Sequence, residues 1–252
     1  MKKLKILAAA GMVFVTASGF FLLLHKKNVP VNLPAHKVEN TTVTKPASQT
    51  TQPGTPQFDK TQRSTSDPTS IWFVVNKTRP LSPLNYVPSD LTAVGGGQVM
   101  RTDAATALAQ VIFDAKQAGL PIVPLSAYRS YTTQVGVYNA EVKNNGQKVA
   151  DSESARPGYS EHQTGLAVDV GGGGCGIEDC FGTTAEGKWL TANAYKYGFL
   201  LRYTPDKIAI TGYRGEAWHF RYIGKDLALE MHNKGVTTLE EFFGLPAAPD
   251  YK

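Results

Sequence analysis

The hydrophobic positions of this chain fall into three regimes. Ile6–Leu24 is a 19-residue uncharged, mostly apolar run behind Lys2, Lys3 and Lys5. That is the form of an export signal, and the run is long enough to span a bilayer as a helix. Residues 28–70 are rich in Thr, Pro, Ser, Gln and Asn and nearly lack large apolar side chains. They cannot bury enough surface to offset their ordering entropy, which predicts a disordered tether. From Ile71 onward the apolar positions become periodic, and the folded part is expected to begin there.

In "TDAATALAQVIFDAKQAG", Leu108, Val111, Ile112 and Ala115 recur at helical spacing between a start at Thr102/Asp103 and a stop at Gly119. "YTTQVGVYNAEVKNNG" repeats the pattern with Val135, Tyr138 and Val142 and ends near Gly146. "TAEGKWLTANAYKYG" predicts a third helix, capped at Thr184 and stopped at Gly198. "TLEEFFG" opens with a capping box, Thr238 to Glu241. "PIVPLSAY", "FLLRY" and "AWHFRYI" read as strands. Helices gathered first and strands interleaved later fit an α+β class better than regular βα alternation. The expected organisation is a signal or anchor over residues 1–27, the tether over 28–70, and one domain over 71–252 with helices packed on an antiparallel sheet.

Charge sharpens this picture. The formal net charge is +5, but residues 1–70 carry nine Lys/Arg against three Asp/Glu, and the remainder carries seventeen against eighteen. The folded part therefore has no overall attraction for phosphate backbones, so no nucleic-acid partner is expected. No clear A-x-A cleavage site follows the apolar run. The expectation is a single-pass membrane anchor with a monomeric domain outside the membrane, or a secreted protein if the segment is cleaved. Cys175 and Cys180, the only cysteines, flank "GIED". An oxidising exterior and an even count favour a short-loop disulfide, with zinc ligation as the alternative.

Two segments carry the candidate chemistry. In "SEHQTGLAVDV" (160–170), Leu166, Val168 and Val170 alternate with Ala167 and Asp169, so Asp169 points away from the apolar face of a strand. A turn at Gln163-Thr164-Gly165 could bring His162 to the same side. In "GEAWHFRY" (215–222), Trp218, Phe220 and Tyr222 share one face and leave His219 on the other. His162, Asp169 and His219 would make a three-ligand zinc set with a fourth position for water. Glu216 lies beside Gly215, where strand parity need not hold, and a carboxylate next to an acidified water serves as a general base. Two unrelated polar strand residues and a surface glutamate would give the same pattern. His232, near a helix C-terminus, reads as structural.

Other chemistries lack their parts. "GYSEH" around Ser160 misses the second glycine of a nucleophile elbow, and no S-x-x-K, H-E-x-x-H or P-loop is present. The Gly171–Gly174 run has no Lys-Ser/Thr partner and reads as a loop.

"SAYRSYTTQ" (126–134), "SEHQTGLAVDV" (160–170) and "ITGYRGEAWHFRYIG" (210–224) resemble, in order and spacing, the VanY-type zinc D-alanyl-D-alanine carboxypeptidases, which share the lysostaphin-like and hedgehog-like metallopeptidase fold. The resemblance covers roughly residues 71–245. It implies that His162, Asp169 and His219 bind Zn2+ and that Glu216 is the catalytic base. It further implies that Arg129 meets the substrate carboxylate or the developing oxyanion, with Gln134 and Ser160 helping to hold the peptide. Ala217 stands where the family usually has proline, and "GGGGCGIEDC" is an insert. The implied reaction is D,D-carboxypeptidase cleavage of the C-terminal D-alanine from peptidoglycan stem peptides. Open alternatives are an L,D-carboxypeptidase, a stem-peptide endopeptidase of the same fold, and a non-enzymatic wall-binding domain.

Overall fold

The alternation of Leu166, Val168 and Val170 is realised in strand β4 (Ala167–Gly171), around which the domain is arranged. The computed structural model describes residues 57–252. The expected anchor, residues 1–27, and the tether as far as residue 56 lie outside the described residues. No helix among the described residues is long and apolar enough to cross a membrane.

β4 is an inner strand of a four-stranded sheet. The strand order is β3 (Val123–Ser126), β4, β6 (His219–Tyr222), β5 (Phe199–Leu201), and every neighbouring pair is antiparallel. One face of the sheet is apolar: Val168 sits opposite Phe220, and both are buried in the main core with Val170 and Leu166. Helix α1 (Thr102–Gln117) joins that core through Ala104, Leu108, Val111 and Ala115, close to the stripe its periodicity predicts. Helix α2 (Tyr131–Asn145) is started by Ser130, whose hydroxyl accepts from the Thr133 N–H at 3.1 Å. Its buried positions are Gln134 and Tyr138, with Val135 and Val142 only half-buried. The face of α2 that turns inward is thus partly polar.

Two elements escape the hydrophobic pattern. The hairpin of β1 (Leu91–Gly95) and β2 (Gln98–Arg101) has mostly exposed or half-buried positions, so no apolar alternation marks it. Helix α3 (Gln147–Glu153) buries only Ala150. Further on, α4 (Ala185–Asn193) is capped by Thr184 and continues as a 3-10 turn to Tyr197, ending on left-handed Gly198. The chain then passes through α5 (Ile208–Thr211) and β6 to α6 (Lys225–Lys234) and α7 (Leu239–Phe243). Thr238 caps α7 by accepting from the Glu241 N–H at 3.2 Å, and its hydroxyl donates to the Glu241 carboxylate at 2.7 Å. His232 on α6 stacks on Tyr195 with ring centroids 3.6 Å apart, in keeping with its structural reading.

The domain boundary differs from the expectation. Residues 57–70, assigned by composition to the tether, pack on the domain. Phe58 lies 5.6 Å from Trp72 and 5.8 Å from Phe242 between ring centroids, and Thr65 O accepts from the Val74 N–H at 3.0 Å. One partly buried aromatic ring gives this stretch an attachment that an average over a polar composition conceals. Cys175 and Cys180 are joined as a disulfide, closing a loop just after β4.

Candidate metal centre and active site

The polar face of the sheet carries the site. Asp169 on β4 is paired directly with His219 on β6, and on its other side with Ser126 on β3. Side chains directly opposite in antiparallel strands lie within contact distance, and His219 Nδ1 is 3.0 Å from Asp169 Oδ1. His162 comes from the 3-10 turn Glu161–Thr164, closed by left-handed Gly165 at φ 69°. A side chain at Gly165 would be strained in that conformation, and its Cβ would meet Arg101 Cγ at 3.0 Å. Gln163 holds the turn in place by donating to Leu84 O at 2.6 Å and Tyr86 O at 3.1 Å. The turn returns His162 to the Asp169 side, with Nε2 at 3.1 Å from Asp169 Oδ2.

The three groups suit a metal. The candidate ligand atoms of His162, Asp169 and His219 lie within 4.8 Å of one another, and all three residues are buried. Tetrahedral zinc with bonds of about 2.0–2.1 Å separates its ligand atoms by roughly 3.3 Å, close to the 3.0 and 3.1 Å observed. Each imidazole has its second nitrogen engaged elsewhere. His162 Nδ1 is 2.7 Å from Ala127 O, and His219 Nε2 is 3.2 Å from Glu161 Oε2. Such outer partners orient metal-binding imidazoles.

Burial would lower the His219 ring, but hydrogen bonds to Asp169 and Glu161, with the charges of Asp169 and Glu216, outweigh it and lift the ring to about 10. Burial lowers His162. For Asp169, burial pushes upward, but the two histidines hold its carboxyl well below the ordinary range. A cation bound here would displace the His219 proton and take over that compensation.

Glu216 sits in the turn that enters β6, where the His219 N–H donates to Glu216 O at 3.2 Å. This turn, rather than strand parity, swings the carboxylate to within 3.6 Å of His219 Nδ1. Burial raises the Glu216 carboxyl to about 7; His219 opposes and Asp169 adds to the rise. A bound cation would pull it down again.

Arg129 faces the same cleft. It donates to Gln134 Oε1 at 2.9 Å and Ser126 Oγ at 2.8 Å, and lies 3.9 Å from Asp169 Oδ2. A guanidinium has five N–H donors, so these two hydrogen bonds leave capacity for a carboxylate.

A family comparison decides the identity. The model of the VanY family, D-alanyl-D-alanine carboxypeptidase, matches residues 97–225, which include His162, Asp169, His219, Glu216 and Arg129. The chain belongs to the VanY family.

It is a carboxypeptidase. Among curated relatives, "Putative carboxypeptidase YodJ" of Bacillus subtilis (strain 168) is 42% identical over 188 residues, covering 70% of this chain and 68% of the relative. The structure of the LdcB LD-carboxypeptidase is 41% identical with a TM-score of 0.65, covering 70% of this chain and 87% of that one. A variant of the vancomycin-resistance D,D-pentapeptidase VanY from the VanB-type cassette, solved with Zn(II), is 30% identical with a TM-score of 0.60. That match covers 69% of this chain and 98% of the other.

Within this VanY-family cleft, all the expected site residues come together, but two stand differently from the simple picture of peptide contacts. Gln134 is 1% exposed. Its oxygen holds Arg129, and its amide donates to Ala155 O at 2.7 Å. Ser160 is also buried, and its hydroxyl accepts from the His162 N–H at 3.3 Å, capping the turn that carries the histidine. Three residues absent from the sequence expectations also line the cleft. Tyr203 packs against His219 at 4.9 Å and Tyr213 against Tyr203 at 5.0 Å, while Glu161 contacts His219 from behind. A charged residue next to His162 in an otherwise buried segment was the available signal for Glu161. The tyrosines carry no comparable pattern. Cys175 and Cys180 take no part in the centre, although their loop brings Ile177 to its rim.

Metal removal supplies a direct check. The purified protein is expected to hold about one zinc per chain, and His219→Ala is expected to lose both the metal and the activity. Full zinc occupancy in that variant would defeat the ligand assignment.

Proposed function

We propose that this protein is a zinc-dependent carboxypeptidase that removes the C-terminal D-alanine of peptidoglycan stem peptides outside the membrane. The observation that carries the reading is the convergence of His162, Asp169, His219, Glu216 and Arg129 in one cleft. Zinc held by the first three would supply Lewis acidity, polarising a carbonyl oxygen and acidifying water. Glu216 accepts a proton from the attacking water and delivers it to the leaving amine. Arg129 pairs with the substrate's terminal carboxylate, and Gln134 and Ser126 aim its guanidinium. The apolar N-terminal run would serve as anchor, and the polar stretch after it as the reach toward the wall.

Two specificities compete. The 41% identity to the LdcB LD-carboxypeptidase, against 30% to the VanY D,D-pentapeptidase, favours tetrapeptide stems with an L-centre before the scissile bond. The D,D reading from the motif resemblance is supported by the family model itself. Mass spectrometry after incubation with tetrapeptide and pentapeptide stems decides between them. D-alanine release from the tetrapeptide supports the first reading, release from the pentapeptide alone supports the second, and release from neither defeats the proposal.

Arg129 makes this an exopeptidase in either case. Amidating the substrate's C-terminus removes the charge that the guanidinium reads. Loss of one partner of such a desolvated pair costs about 2–5 kcal/mol, well over tenfold in kcat/KM. Wild type is expected to favour the free acid strongly, and Arg129→Ala to be slow on both. Equal wild-type rates on acid and amide would point to the endopeptidase alternative.

A further inference from the structure

We propose that Glu161, which adjoins His162 in sequence, is a positioning residue that keeps the proton of His219 on Nε2 and so presents the Nδ1 lone pair to the metal. The inference rests on the zinc reading above. The Glu161 side chain is wholly buried and its two oxygens are divided between partners. Oε1 accepts from Arg202 Nε at 2.8 Å and from Arg221 Nη1 at 3.0 Å, whereas Oε2 lies 3.2 Å from His219 Nε2. Two buried guanidinium groups paired with Oε1 keep the carboxyl ionised, and an ionised carboxylate only accepts. Oε2 therefore requires a proton on His219 Nε2, and a ring protonated there can ligate only through Nδ1. Nδ1 is the atom that faces Asp169 and Glu216.

Glu161 is itself held by two guanidinium groups that are anchored in turn elsewhere in the chain. Arg202, next to β5, forms a fork on Glu240 of α7 with contacts of 3.0 and 2.8 Å. Arg221 on β6 also donates to Phe73 O at 2.7 Å and Ile71 O at 3.3 Å. Two guanidinium groups and two carboxylates balance in a buried cluster directly behind the metal centre. Glu161 is the only one of the four whose side chain hydrogen-bonds the side chain of a candidate ligand.

Glu161→Gln separates positioning from simple support. The two arginine donors still face the Oε1 position, so the amide oxygen must occupy it and the NH2 must turn to His219. Nε2 then becomes an acceptor, and the ring proton moves to Nδ1, where the metal would bind. Zinc affinity, read by competition with a chromophoric chelator, is expected to fall by about 10–100-fold, the usual effect of losing such a partner. Glu240→Gln weakens the same cluster without touching His219. It is expected to lower thermal stability and leave zinc affinity unchanged. Unchanged zinc affinity in Glu161→Gln overturns the proposal, and so does an equal loss in Glu240→Gln, which would mark general loosening. In zinc-loaded wild type, nitrogen-resolved NMR should find His219 protonated at Nε2. A proton at Nδ1 overturns the proposal even if Glu161→Gln does not fold. Failure of wild type itself to bind zinc would instead bring down the underlying metal reading.

Discussion

Glu216→Gln is expected to lower kcat by on the order of 10²–10⁴-fold while fold and zinc content stay unchanged, because removal of a general base costs roughly that much. The substitution is nearly isosteric, and Glu216 is not among the three atoms that would hold the metal. Its backbone contacts, the N–H to Tyr203 O at 2.9 Å and the carbonyl from the His219 N–H at 3.2 Å, survive the change. What is lost is the carboxylate beside His219 Nδ1, which burial has already biased toward accepting a proton. The amide has no basic lone pair to take the proton of the attacking water, nor a proton to return to the leaving amine. KM should change little if the residue acts on the chemical step alone. Single-turnover hydrolysis of a stem peptide by zinc-replete wild type and variant gives the comparison. Near-wild-type turnover would remove Glu216 from the mechanism, and coincident loss of zinc would reassign it as a ligand.

Much of the site was legible because strand alternation carries absolute information. Once Leu166, Val168 and Val170 are inside, Asp169 must face the other way, and Phe220 does the same for His219. Periodicity cannot give the register, and register is what places Asp169 opposite His219. His162 and Glu216 lie in turns, where parity fails; the glycines at 165 and 215 show where to expect that but not in which direction the side chain emerges. The same limit applies to the fold. Helices with an apolar stripe, such as α1, can be read from spacing, whereas α3 and the β1–β2 hairpin bury too little to leave one. The buried arginines were the least visible feature. Arg202 and Arg221 sit in strand-like segments where a charge normally marks the solvent face, and tertiary partners, Glu161 and Glu240 with the carbonyls of Ile71 and Phe73, make their burial tolerable.

Arg202→Ala is expected to destabilise the domain by about 3–5 kcal/mol, a large part of the total for a typical domain. The Arg202 side chain is wholly buried, and it bridges Glu161 at 2.8 Å and Glu240 at 3.0 and 2.8 Å. Its removal leaves Glu161 with Arg221 and His219, but leaves Glu240 with only Asn76 Nδ2 at 2.9 Å among these side-chain contacts. Burial raises the Glu240 carboxyl, and Arg202, together with hydrogen bonds from Asn76 and the backbone, more than offsets that rise. Without the guanidinium, Glu240 must either stay charged in a dry site or take up a proton, and both cost stability. Removing both partners removes that penalty. Arg202→Met combined with Glu240→Met should therefore cost less than the sum of the two single changes, since no orphaned charge remains between them. Chemical denaturation at one saturating zinc concentration measures wild type, Arg202→Ala and the three methionine variants on the same footing, because bound metal adds equally to each only while its affinity is preserved. Zinc affinity is checked alongside for that reason. A single-variant loss within the ordinary surface range of about 0.5 kcal/mol, or strict additivity in the double variant, would show that the cluster is not the electrostatic unit its distances describe.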